Sequence, residues 1–452
     1  MQQREMRRMN TPIIDFVEQY KKTNISRLHM PGHKGFGYLG CEPLDITEIN
    51  GADALYEADG IIAESETNAS AVFGTGKTLY STEGSSQCIR AMLYLAMSEK
   101  KTEDKPILLA ARNVHKSFIH AAALLDLDVE WMHSETKCDS ICTCMVSAEG
   151  LEKQLCHMNK KPFAVYVTSP DYIGGQLDIK GIAEVCHRHD CLCIVDNAHG
   201  AYLKFLPTSL HPIDLGADLC CDSAHKTLPL TGGAYLHMHK NVSKTMMHHA
   251  KNAMALFGST SPSYLTLISL DYCNLYLSDS YGEKLSKTIQ KLEDLRIILR
   301  KQGWKVEITD PLKLTVQMPL SVDGKVYAEH LRMNQVECEY ADSEYIVCMF
   351  TPENTDNDYQ KVIKAFGINK NKYDIRERLE PALCEKKMSI REAIFAKHCM
   401  VPVAQSLGKI CGTPMVSCPP AIPIVVSGEV INEEAIKRFE FYDIDEIDIV
   451  ED

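Results

Sequence analysis

The sequence predicts an α/β fold with a mainly parallel sheet, and three observations carry that expectation. Short apolar runs are bounded by turn residues, helical patterns lie between them, and polar clusters follow the runs. The runs "PILLAAR" (106–112), "FAVYVTSP" (163–170), "CLCIVDN" (191–197) and "DLCCDSAHK" (218–226) read as strands. "VHKSFIHAAALL" (114–125) and "IKGIAEVCHRH" (179–189) have helical spacing, so the strands connect by right-handed crossovers. Ligands in such sheets collect at the carboxyl ends of the strands. That rule singles out residues 112–115, 168–172, 196–199 and 223–226 as the walls of one pocket.

Composition bounds the rest. A chain of 452 residues, 45% hydrophobic, suffices for one large domain and one or two smaller ones. The expected organisation is an N-terminal arm (1–45), a cofactor domain (46–285), a small α/β domain (286–370) containing "KVEITDPLKLTVQM", and a C-terminal domain (371–452). The tail "FYDIDEIDIVED" alternates isoleucine with acids, as an edge strand or a solvated acidic end does. The net charge of -13 argues against nucleic acid and anionic lipid as partners and favours the approach of cations. No run of about 18 apolar residues occurs, and the N-terminus lacks the apolar stretch of a signal peptide. The expectation is a cytoplasmic protein that does not engage membranes, whose 18 cysteines are thiols.

Two cysteine clusters, "CDSICTC" (138–144) and "CHRHDCLC" (186–193), lack paired C-x-x-C spacing, and the second runs from a helix into a strand whose alternate side chains diverge. No metal site is expected. "FGTGKT" (73–78) resembles the end of a phosphate-binding loop, but Ala71 stands where the first glycine belongs, and the strand "TLYST" follows instead of a helix. It reads as a turn.

The four polar clusters suggest one chemistry. A partly desolvated lysine, Lys226, forms a Schiff base readily, the anchoring bond of pyridoxal 5'-phosphate. Asp196, closing "IVDN", suits the pyridine nitrogen and keeps it protonated, and His115 suits stacking on the ring. Gly84, Ser85 and Ser86 precede a helical pattern, where amides and hydroxyls receive a phosphate; Ser223 and His225 supply further donors. Taken singly, an acid after a strand is usually a cap or turn former and Gly-Ser-Ser is usually a helix start. Together they supply an amine, an acid, a ring and phosphate donors in one cofactor's layout.

"DSAHK" (222–226) also resembles the S-x-H-K lysine motif of the ornithine/lysine/arginine decarboxylases, pyridoxal-phosphate enzymes of the aspartate aminotransferase fold (fold type I). "HMPGHKG" (29–35), "DITE" (45–48), "ARNVHKS" (111–117), "VDNAHG" (195–200), "STSPSY" (259–264) and "CPPAIPIVVSGE" (418–429) resemble family segments, in family order. The resemblance implies that Lys226 binds the cofactor, Asp196 pairs with its pyridine nitrogen, and His115 stacks over it. It implies phosphate contacts from Ser85, Ser86, Ser223 and His225, with His199 near the ring. It further implies that Thr260 reaches the cofactor of a neighbouring subunit, so that the minimal active unit is a homodimer with shared sites. Ala111 stands where the family usually has Asp, and Ser85 where it often has Thr. The "PGHKG" segment begins at residue 31, which leaves no room for the receiver-like domain of the large inducible enzymes, so the chain resembles the shorter biosynthetic branch.

The implied reaction is decarboxylation of a basic amino acid, arginine first and lysine or ornithine next, to its amine and carbon dioxide. His225 and Lys226 are the candidate proton donors to Cα, and Glu429 the candidate reader of the substrate's far end. An aminotransferase or lyase of the same fold is the alternative, with Arg391 or Arg438 holding the α-carboxylate. A non-enzymatic binder is a further class, with little reason to keep this set of groups together.

Overall fold

The computed structural model describes residues 9–100, 105–135, 140–373, 379, 381–415 and 420–451. Cys138, Cys418 and Pro419, which belong to segments singled out above, lie outside the described residues. The first seven strands are β1 (Lys77–Ser81), β2 (Ile107–Ala111), β3 (Asp128–Met132), β4 (Ala164–Thr168), β5 (Leu192–Asp196), β6 (Leu219–Asp222) and β7 (Ala234–Met238). Four of them, β2, β4, β5 and β6, are the runs that the sequence predicts as strands. Their apolar side chains are almost all fully buried, as expected of strands with both faces covered.

Two compact units make up the chain, Met1–Glu99 with Cys193–Lys284 and Lys100–Leu192 with Leu285–Asp452. In the first unit the strand order is β1-β7-β6-β5. β5 and β6 are parallel, with Asp196 beside Cys221 in register, and β7 runs antiparallel to both β6 and β1. Leu79, Ile194, Leu219 and Leu236 are all 0% exposed, each such side chain stabilising the fold by about 1.5–3 kcal/mol. The helix Ile61–Phe73 ends in left-handed Gly74, whose amide and that of Thr75 return to the carbonyls of Ala71 and Ser70. "FGTGKT" is therefore a helix C-cap running into β1, and its lysine, Lys77, donates to the carbonyl of Met247 at 2.9 Å. At the N-terminal side, Asp271 from the helix Tyr264–Ser278 accepts the first amides of the helix Pro12–Lys21, from Ile13 and Ile14, at 3.0 and 3.1 Å.

In the second unit β4, β2 and β3 are mutually parallel neighbours in that order. Helices Lys116–Leu124 and Ile179–Arg188 appear where the sequence predicts them, capped by His115 and Asp178. Downstream, β8 (Lys305–Val306), β9 (Lys313–Gln317), β10 (Tyr340–Ala341) and β11 (Tyr345–Met349) form an antiparallel sheet in the order β10-β11-β9-β8. Its core includes Leu299, Leu314, Val316, Leu331 and Ile346. The acidic tail resolves as strand: β13 (Glu446–Val450) pairs antiparallel with β12 (His398–Pro402), because Ile447 and Ile449 point into a core with Phe439, while Glu446 is exposed and Asp448 meets His398 at 3.0 Å. Among the described residues, no helix is long and apolar enough to cross a membrane.

Candidate active site

The carboxyl ends of β5 and β6 set the site in the first unit. Parallel pairing places the turn after Asp196 beside the turn after Asp222, and the chain then folds into one helical turn, Ala224–Thr227, that carries Lys226. The Lys226 amine lies 3.1 Å from Nε2 of His199, three residues beyond Asp196. His199 is buried and Lys226 half-buried, so the amine is partly withdrawn from water. Asp196 is 2% exposed, and its Oδ1 accepts the amide of Ala198 at 3.1 Å, which curls the turn back toward the acid.

The helix Ser85–Glu99 begins at the end of β1 through Gly84, whose φ of +73° suits glycine. Ser81 fixes this turn: its hydroxyl donates to the Gly84 carbonyl at 2.9 Å and contacts Gln87 Oε1 at 2.6 Å. Ser223 Oγ donates to Ser85 Oγ at 2.6 Å, which ties the lysine-bearing turn to the helix start. Ser85 and Ser86 are half-buried, and a Cβ built on Gly84 would meet nothing within 4 Å. Two hydroxyls, free space at the glycine and the positive end of a 15-residue helix suit a phosphate monoester. A half-buried amine after β6, a buried carboxylate at the end of β5 and a phosphate cradle after β1, tied to the amine's turn by Ser223, fit pyridoxal phosphate. Lys226, Asp196, Ser85, Ser86 and Ser223 are the residues that would hold it. His225 is exposed, with Nδ1 3.1 Å from the carbonyl of Gly233, and Thr260 is exposed in the loop before the helix Tyr264–Ser278.

Asp222 is a residue that sequence reasoning passed over. It is 0% exposed, accepts Nδ2 of Asn197 at 2.6 Å, and meets the Nε2 atoms of His211 and His237 at 3.2 and 3.1 Å. Burial alone would raise its carboxyl, but the two imidazoles hold it well below the usual carboxylate range. An apolar strand ending in Asp was the available signal, obscured because the neighbouring S-x-H-K motif explained the segment.

His115 and Glu429 belong to the second unit. His115 is half-buried, and its Nδ1 accepts the amide of Ser117 at 3.2 Å, so it caps its helix. Glu429 is neither a solvated loop acid nor an open carboxylate. Its Oε2 accepts Nη2 of Arg112 at 3.1 Å and the Val426 amide at 2.8 Å, and Arg112 also donates to the carbonyls of Pro423 and Ile424. The polar cluster 168–172 also lies in the second unit. Asp171 accepts Thr143 and the Gly175 amide, while Lys313 of β9 donates to its carbonyl at 2.6 Å. Burial pushes the Asp171 carboxyl up to about 6, against the opposing charge of Lys313. Arg391 donates to the carbonyls of Ala123 and Leu124 at the end of the helix Lys116–Leu124, and Arg438 is buried and donates to that of Leu379.

Cys142, Cys144, Cys186, Cys191 and Cys193 are buried. Burial pushes Cys191 up to about 11. In the second cluster His189 contacts Glu152 at 2.6 Å, with Cys156 close by, and Cys191 donates to the Pro162 carbonyl at 3.1 Å.

The family model described as the Orn/Lys/Arg decarboxylase major domain matches residues 11–323. A protein named arginine decarboxylase from Halalkalibacterium halodurans is 29% identical, the match covering 94% of this chain and 92% of that one. The arginine decarboxylase of Bacillus subtilis is 28% identical, over 95% and 93%. Among solved structures, the Francisella novicida lysine decarboxylase LdcF superimposes with a TM-score of 0.81 at 17% identity, over 98% of this chain and 81% of that one.

Proposed function

The chain belongs to the ornithine/lysine/arginine decarboxylase family of pyridoxal-phosphate enzymes, and from that premise we propose that it removes the α-carboxyl group of arginine, with lysine and ornithine as poorer substrates. The observation that carries the reading is the Lys226 amine, held 3.1 Å from His199 beside the strand end of Asp196. Bound there, pyridoxal phosphate supplies the electron sink into which the pair left by departing carbon dioxide flows.

The chain's own residues do the rest. Asp196, buried and acceptor-only as a carboxylate, holds a proton on the cofactor nitrogen. The start of the helix Ser85–Glu99, with Ser223, anchors the phosphate, and His199 orients the Lys226 amine. His115 takes the stacking role from its place in "ARNVHKS", and His225 or Lys226 returns a proton to Cα. Glu429 reads the far end of the substrate from its place in "VVSGE", with one oxygen committed to Arg112. A net charge of -13 favours a cationic substrate, and two relatives named arginine decarboxylase support arginine over lysine.

A cytoplasmic homodimer is part of the same reading. Leu28, Phe36 and Leu39 are 91%, 83% and 84% exposed within the segment that carries "PGHKG", apolar side chains that a partner surface would cover. A second copy covers it, with Thr260 serving the neighbouring site. The test is carbon dioxide release by the cofactor-loaded protein from arginine, lysine and ornithine. Arginine turned over with the highest kcat/KM is expected; lysine or ornithine preferred overturns the substrate, and no release from any of the three overturns the reaction.

A further inference from the structure

The inference concerns Asp222 and rests on the cofactor reading above. Asp222, Asn197, His211 and His237 are all 0% exposed, which makes the carboxylate costly to bury unless every acceptor site is met. Its Oδ1 takes the Asn197 amide at 2.6 Å, and its Oδ2 takes His211 Nε2 at 3.2 Å and His237 Nε2 at 3.1 Å. Because a carboxylate only accepts, both Nε2 atoms carry hydrogen. His237 Nδ1 then pairs with the Thr78 hydroxyl at 2.9 Å, itself 2.7 Å from Thr75, so the carboxylate sits in a hydrogen-bonded chain running to β1.

What this anchors is Asn197, the residue after the pyridine-facing acid. The Asn197 amide nitrogen is fixed on Cys221 at 3.0 Å, and its carbonyl receives the Gly200 amide at 2.8 Å. The turn is tight: a Cβ on Gly200 would lie 2.0 Å from Asn197 Oδ1. With main chain and side chain both tied to β6, Asn197 has one available position, and Asp196 and His199 on either side inherit it. The same Asp222 precedes Ser223, whose hydroxyl meets Ser85.

We propose that Asp222 is a positioning residue that, through Asn197, locks the turn presenting Asp196 and His199 to the cofactor. It touches neither cofactor nor substrate. The alternative is a polar cluster that only stabilises the sheet. A structural role alone lowers thermal stability and leaves the bound cofactor's geometry untouched.

The experiment titrates pyridoxal phosphate into wild type, N197A, D222N and the double variant, reading affinity and the visible circular dichroism per bound cofactor. Each single variant is expected to weaken binding at least tenfold and to change the dichroic signal. The double variant is expected to lose no more than the worse single one, because both cut one bond. Binding within twofold of wild type with an unchanged signal, or losses that add, overturns the proposal. If D222N does not fold, N197A decides alone, since it leaves the carboxylate and both imidazoles in place. Wild type that binds no pyridoxal phosphate fails the cofactor reading itself, a result distinct from any variant's failure.

Discussion

Replacing Glu429 by alanine is expected to destabilise the second unit by about 3 kcal/mol, at the low end of the 3–5 kcal/mol typical of a broken buried pair. The figure follows from what the carboxylate holds. Its side chain is 6% exposed and that of Arg112 is 15% exposed, so the pair is largely removed from water. Deleting the acid leaves the guanidinium charge buried, still bonded to the carbonyls of Pro423 and Ile424 at 3.2 and 2.9 Å, which offsets part of the loss. It also strands the Val426 amide, itself worth about 1–3 kcal/mol when left unmet. Glu429→Gln keeps an acceptor for that amide and for Arg112, so its cost is expected at about 1–2 kcal/mol. Removing both charges in Arg112→Met/Glu429→Met is expected to cost less than Glu429→Ala alone, because no uncompensated charge remains. Urea denaturation followed by far-ultraviolet circular dichroism measures all three. A loss below about 1 kcal/mol for Glu429→Ala, in the range of exposed ion pairs, would refute the reasoning that this pair acts as a buried one.

Two further outcomes follow from buried acids. Asp171, raised from 3.8 to about 6 by burial, binds its proton more tightly folded than unfolded, so its contribution is fully present below about pH 4 and is lost as pH rises through 6. That shift corresponds to about 3 kcal/mol, and a stability profile of Asp171→Asn between pH 4 and 7 is expected to flatten relative to wild type; an unchanged slope contradicts the assignment. Asp271→Ala removes the acceptor of the Ile13 and Ile14 amides and is expected to cost about 1–2 kcal/mol. Limited proteolysis should then cut the helix Pro12–Lys21 early, and protection equal to wild type counts against the cap.

The parallel strands were legible because β2, β4, β5 and β6 are short, fully buried and bounded by polar turns. β3 was missed: only Val129 and Met132 are buried in "DVEWM", and a charged edge strand carries no continuous apolar run. β7 was missed because the Gly232-Gly233 pair hid the start of "AYLHM". In the candidate site, Lys226 and Asp196 were singled out because strand ends collect ligands and each residue's chemistry is local to its motif. The Asp222 cluster was not, because His211, His237 and Asn197 converge only through strand pairing and a loop. The strand-end rule is silent on what else such a cluster holds: in 168–172 the Asp171 carbonyl accepts Lys313, 142 positions away. Arg112 and Glu429, 317 positions apart, are a pair that no local pattern announces.

The most direct measurement is covalent. Incubating the protein with pyridoxal phosphate, reducing with borohydride and mapping the modified peptide by mass spectrometry should place one cofactor per chain on Lys226, with none retained by Lys226→Ala. Label on a different lysine, or equal labelling of the variant, would contradict the claim that this amine, beside His199 and Asp196, is where the chemistry begins.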